Sequence, residues 1–127
     1  MDLENLQKLV DIIHEMNRRG ENPATSGNYS YRLDSGEAFM VSESGVDKAH
    51  FQVENFLKVF PNGMLSKEDQ NKGKRSSAET DLHLMIFHLF PQAKCVLHSH
   101  GLSPLVFVEK LEGEEFVHIE NMEMLKT

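Results

Sequence analysis

The stretch Cys95-Val96-Leu97-His98-Ser99-His100-Gly101 holds the densest chemistry in this 127-residue chain. A short apolar run ends in two histidines separated by one residue, and a glycine follows. On a β-strand successive side chains alternate between faces, so His98 and His100 would point the same way, with Cα atoms roughly 6.6 Å apart. Two imidazoles at that spacing can converge on one metal ion. The same pair could equally stand on a solvated strand face, because histidine also serves as an ordinary titrating surface residue.

Three small-residue segments are candidates for an anion. Ser26-Gly27-Asn28 and Ser44-Gly45 are turns whose backbone N–H groups, helped by hydroxyls, can cradle a phosphate. Ser77, at a helix start, adds unpaired amides and the positive end of the dipole. Turns also need these residue types for purely conformational reasons. Two carboxylates complete the set. Glu79 reads either as a capping-type acid in the first helical turn or as a catalytic group. Glu123 lies between Met122 and Met124. Apolar neighbours that desolvate a carboxyl raise its pKa toward the range of a general acid or base, whereas a solvent-facing acid on a short helix is the plain alternative.

The elements that must position these residues follow from periodicity. Leu3, Leu6, Leu9, Val10, Ile13 and Met16 recur at three- and four-residue steps, predicting a helix from Leu3 to about Arg19 with Gly20 at its C′ position and Pro23 just beyond. A strand runs into Leu33, Asp34-Ser35-Gly36 turns the chain, and Ala38 to Val41 returns as the second strand of a hairpin. Phe51 to Val59 suggests further sheet with a short helical piece. From Asn62 to Ser77 the chain is polar and reads as a loop holding the basic run Lys72-Gly73-Lys74-Arg75. Ser76 or Ser77 would N-cap the next helix, whose buried face is marked by Leu82, Met85, Ile86 and Leu89 until Pro91 blocks it. His83 and His88 lie on different faces of that helix and read as structural or surface residues. A helix is expected near Ser103-Pro104 and a last strand at Phe116 to Ile119. Alternating helices and strands predict an α/β domain.

Bulk properties bound the function. At 127 residues, 39% hydrophobic and 26% charged, the chain reads as one ordinary globular domain. A formal net charge of −7 argues against nucleic-acid binding, which wants a basic face. Cys95 is the single cysteine, excluding an internal disulfide, and its apolar setting reads as an inert thiol. No apolar stretch reaches the ~20 residues of a membrane span, and the acid-bearing N-terminal helix is unlike a signal or transit peptide. A cytoplasmic location is expected.

The order of segments resembles one family. Ala24-Thr25-Ser26-Gly27-Asn28-Tyr29-Ser30, Ser44-Gly45, Ser77-Ala78-Glu79 and His98-Ser99-His100 follow one another as in the class II aldolase/adducin family. Glu123-Met124-Leu125-Lys126 resembles the Glu-Met-(Leu/Ile)-Lys segment of that family's methionine-salvage dehydratases. The resemblance implies a three-layer αβα fold around a central, mostly antiparallel sheet, assembled as a homotetramer with sites near subunit boundaries. It implies a zinc ion in each subunit, held by His98 and His100. It implies a phosphorylated keto-sugar gripped by Thr25, Ser26, Gly27, Asn28, Ser44, Gly45 and Ser77. Glu123 takes the position of the dehydratase acid/base, and Glu79 that of the aldolases' catalytic glutamate. The implied reaction is zinc-dependent dehydration of the sugar phosphate to a diketone. A sugar-phosphate aldolase or 4-epimerase would use the same pockets, and an adducin-like module would bind without catalysis.

Two features depart from the family pattern. The third metal histidine of the family comes from beyond the Glu-Met-Leu-Lys segment, and His118 precedes that segment. The expectation is therefore a single domain over residues 1–127, without the family's C-terminal part and with the metal site incomplete. Ala78 stands where the sugar-phosphate aldolases carry a second phosphate-binding serine, which favours the dehydratase branch.

Overall fold

The pleat of the central sheet decides which side chains meet. The computed structural model describes residues 1–22 and 26–99 in full and 106–109 as backbone. Helix α1 (Asp2–Arg18) buries Leu6, Leu9, Val10 and Ile13 of the predicted stripe, with Met16 partly buried, whereas Leu3 in the first turn is 68% exposed. It stops in a Schellman arrangement: Gly20, at φ +76°, donates its amide to Asn17 O at 3.0 Å, and Glu21 N reaches Met16 O at 3.0 Å.

Strands β1 (Asn28–Arg32) and β2 (Phe39–Ser42) form the expected hairpin, with Ser30 opposite Val41. β3 (Phe56–Val59) pairs with β2, and β4 (Cys95–His98) lies on the other side of β1. β5 (Val106–Glu109) pairs with β4. The described sheet has the order β3-β2-β1-β4-β5, and every pairing is antiparallel. The strand at 106–109 replaces the helix expected near Ser103-Pro104. Val-Phe-Val is a β-branched and aromatic run that suits a pleated surface, and pairing with β4 overrides the helix-start signal of the proline.

The polar stretch from 62 to 77 also holds more order than a loop. It contains the short helix α2 (Lys67–Asn71), started by Ser66, whose Oγ accepts the Asp69 amide at 3.3 Å. Asp69 is itself buried and accepts from Lys58 N at 2.8 Å. The spacing Ser-x-x-Asp was the legible signal of that start.

Alternation along the strands splits the core in two. Tyr29, Tyr31, Phe56 and Leu97 pack with α1, while Phe39, Val41, Leu57, Val59 and Val96 pack with α3 (Thr80–Leu89) through Ile86 and Phe87. This gives the αβα layering the family resemblance implied. Cys95 is half-buried at the margin of the α1 cluster. Helix α3 is turned relative to its apolar pattern. Thr80, His83, Ile86 and Phe87 face inward, whereas Met85 and Leu89 are 50% and 61% exposed. Two polar residues hold positions that apolar periodicity would give to Met85 and Leu89. Arg32 secures the far end of α3: its Nη2 donates to Phe87 O at 2.7 Å and its Nε to Ala93 O at 2.9 Å, with the guanidinium over the Phe39 and Phe87 rings.

Candidate functional site

Register places the site. Asn28 pairs with His98 across β1 and β4, and Ser30 pairs with Val96, so Asn28, Ser30 and His98 share the face that looks at α3. Glu79, immediately before α3, and His83, one turn along it, close over that face. Glu79 Oε2 accepts from His98 Nδ1 at 3.0 Å and also from Asn28 Nδ2. Ser30 Oγ is hydrogen-bonded to His83 Nδ1 at 2.6 Å. Asn28, Ser30, His83 and His98 are all buried, and Glu79 keeps 13% of its side chain exposed.

The sequence offered two roles for Glu79, and the geometry separates them. Glu79 makes no side-chain capping bond; its carboxylate turns to the sheet instead. Ser77 does the local work, accepting the Glu79 amide on its Oγ at 3.1 Å, and α3 begins later than a cap at Ser76 or Ser77 would place it. His83, read from sequence as an ordinary residue, belongs to the cluster. Its pKa is pushed down to about 3, first by burial, then by nearby His98, with Glu79 opposing. It is therefore neutral, and among the described residues its Nε2 has no hydrogen-bond partner. The missed signal was its position four residues after Glu79. His88 is exposed, as expected.

The anion-binding candidates gather at this same end of the sheet. Ser26-Gly27-Asn28 leads into β1, and Ser44-Gly45 leaves β2, the strand antiparallel to it. Ser44 N donates to Arg75 O at 3.2 Å, which draws that turn beside the Ser77 segment. Gly27 has φ +95° and Gly45 φ +80°, conformations that L side chains rarely adopt. Ser44, Gly45 and Ser76 are exposed, and Ser77 is half-buried. The two lysines of the basic run make local contacts: Lys72 pairs with Glu68 at 3.1 Å and Lys74 donates to Glu54 O at 2.7 Å, while Arg75 is exposed. Thr25, His100 and Glu123 lie outside the described residues.

The donor chemistry at His98 fits a divalent metal. A ligating histidine commonly donates its second ring N–H to a carboxylate, which fixes the ring and leaves the lone pair on the other nitrogen. Glu79 stands in that relation to Nδ1, so Nε2 is the ring atom that would coordinate a metal. Among the described residues no group of three or more His, Cys, Asp or Glu side chains is placed to hold a metal. No helix among the described residues is long and apolar enough to cross a membrane.

Residues 7–124 match the family described as Class II Aldolase and Adducin N-terminal domain. A methylthioribulose-1-phosphate dehydratase from a Picosynechococcus species is 36% identical over 99% of this chain and 59% of its own length. The chain thus spans well under two thirds of that relative. Among solved structures, YgbL from Klebsiella pneumoniae has a TM-score of 0.69 at 20% identity, over 80% of this chain and 46% of its own. An L-fuculose 1-phosphate aldolase has a TM-score of 0.65 at 18% identity, over 76% and 44%.

Proposed function

This chain belongs to the class II aldolase and adducin family, and on that premise we propose that it serves a methylthioribulose-1-phosphate dehydratase, acting in methionine salvage in the cytoplasm as a homotetramer. The observation that carries the reading is the Glu79 carboxylate held between Asn28 and His98, at the sheet end where the small-residue turns gather. The relative at 36% identity supports the choice of substrate. We assign the single domain to residues 1–127.

In this reading His98 and His100 hold a zinc ion, one in each subunit. When bound, that metal supplies Lewis acidity, making the proton beside the sugar carbonyl easier to remove. The phosphate is gripped by Thr25, Ser26, Gly27, Asn28, Ser44, Gly45 and Ser77, mainly through backbone amides and hydroxyls. Glu123 removes the C3 proton as general base. The electron pair left on C3 forms the double bond to C4 as the C4–O bond breaks and the hydroxyl leaves, protonated, as water. Transfer of the enol proton to carbon then yields 2,3-diketo-5-methylthiopentyl-1-phosphate. Glu79 orients His98 through Nδ1 and Asn28 through its amide.

A second reading, a sugar-phosphate aldolase or 4-epimerase, gains from one observation: Glu79 lies beside His98, where an aldolase glutamate would act. Product analysis on methylthioribulose-1-phosphate, with the chain extended to the length of its relatives, separates the two. The dehydratase gives a diketone, with activity falling at least a hundredfold in Glu123→Gln. Two shorter carbonyl fragments would overturn the proposal in favour of the aldolase. No turnover in the extended protein would leave the adducin-like binding module.

A further inference from the structure

We propose that Asn22 is an additional phosphate-binding residue, donating its side-chain Nδ2 to the same anion as Ser26 Oγ; the inference rests on the reading of Ser26-Gly27-Asn28 as an anion turn. Asn22 lies outside every motif that the sequence singled out, yet it is only 3% exposed. Its Oδ1 accepts the Tyr29 hydroxyl, so the oxygen side of the amide is committed to the protein. The nitrogen side is a pure donor, and among the described residues Asn22 Nδ2 is buried with no partner. Ser26 Oγ, in the adjoining turn, is likewise buried with no partner.

Gly27 explains why Asn22 can sit there. A Cβ built on Gly27 would collide with Asn22 Oδ1 and come within 3.2 Å of the Tyr29 hydroxyl. The glycine therefore serves two ends, its positive φ and the seat of the Asn22 amide. Tyr29 in turn donates its backbone amide to Ser42 Oγ at 3.0 Å, which fastens the arrangement to β2 just before Ser44-Gly45. Two buried donors without acceptors, one on Asn22 packed against Gly27 and one on Ser26 just before that glycine, match a ligand that only accepts. A phosphoryl group is of that class. Water would satisfy each donor singly, whereas one anion satisfies both and the nearby backbone amides together.

The test is a titration of the isotope-labelled full chain with inorganic phosphate, against chloride at equal ionic strength. It follows the Gly27 amide and the Asn22 side-chain NH2 resonances. Both are expected to shift with one dissociation constant, and Asn22→Leu is expected to weaken binding about tenfold while the remaining amide spectrum is kept. If Gly27 titrates while the Asn22 NH2 pair stays still and Asn22→Leu binds as tightly as the parent, the anion turn stands and Asn22 is no donor. If neither resonance responds, the anion-turn reading fails and this inference falls with it. Should Asn22→Leu not fold, the response of the unaltered protein's own NH2 pair decides.

Discussion

Glu79 joins the sheet to the helix above it, and its two contacts differ in what they control. Through His98 Nδ1 it sets which ring nitrogen would face the proposed metal; through Asn28 it fixes the end of the Ser26-Gly27-Asn28 turn. Glu79→Gln keeps the shape and an acceptor oxygen but removes the charge. It is expected to weaken zinc binding 10- to 100-fold, roughly the usual effect of losing such a partner, measured by chelator competition on the zinc-loaded protein. His83 gives a pH-dependent prediction. Its folded pKa of about 3 lies below the usual 6.5, so the unfolded chain binds the proton more readily. The stability from keeping His83 neutral is present above pH ~6.5 and is lost as pH falls toward ~3, at up to about 1.4 kcal/mol per pH unit. Chemical denaturation of metal-free protein at pH 7 and pH 5 is expected to differ by roughly 2 kcal/mol from this source, and His83→Gln should remove that difference. Asn28, Ser77, Glu79 and His98 were legible in the sequence because each belongs to a short local motif. His83 and Asn22 were not, because their contacts join elements that share no motif, and Ser30, though inside the quoted segment, showed no role until its bond to His83 was placed.

At the scale of elements, the outcome turns on where polar residues displace apolar ones. The existence of α1, the hairpin, α3 and β4 was plain from periodicity and from turn residues. The facing of α3 was not, since Met85 and Leu89 repeat as a core stripe should and yet point outward. His83 takes its inward position because the sheet beneath offers Ser30, a polar partner, while Thr80 is buried beside it with its Oγ1 unbonded among the described residues. With fewer apolar contacts near its start, α3 depends more on its far end, where Arg32 gathers the carbonyls of Phe87, Phe90 and Ala93. Arg32→Met, which keeps a long side chain but none of those donors, is expected to cost roughly 2–3 kcal/mol in thermal or denaturant unfolding. The glycines make a matched pair. Gly20 is free of neighbours within 4 Å, so Gly20→Ala meets only the left-handed backbone penalty of about 1 kcal/mol. Gly27→Ala meets that penalty and the Asn22 collision as well, and its unfolding midpoint should fall visibly further. Equal losses in the two variants would show that the Asn22 seat is loose.

The whole molecule assembles its site from three distant parts of the chain, near residues 28, 79 and 98, all brought to one end of one sheet. The chain spans 59% of the length of its dehydratase relative. Metal analysis of this chain beside a version extended to relative length is expected to find stoichiometric zinc in the extended protein. His98→Ala/His100→Ala should abolish it. An extended protein without zinc would remove the metalloenzyme reading altogether. The central strand also sets limits on how such a chain can vary by insertion and deletion. β1 shows Asn28 and Ser30 to one core and Tyr29 and Tyr31 to the other. Adding or losing one residue between 28 and 32 would exchange the two sets, driving tyrosines into the polar cluster and serine into the α1 core. Length changes in the exposed turn at Asp34-Ser35-Gly36-Glu37 leave that parity alone. Viable length variants should therefore crowd into the hairpin loop and be missing from the strand, so a library of single-residue insertions would trace the site without any assay of chemistry.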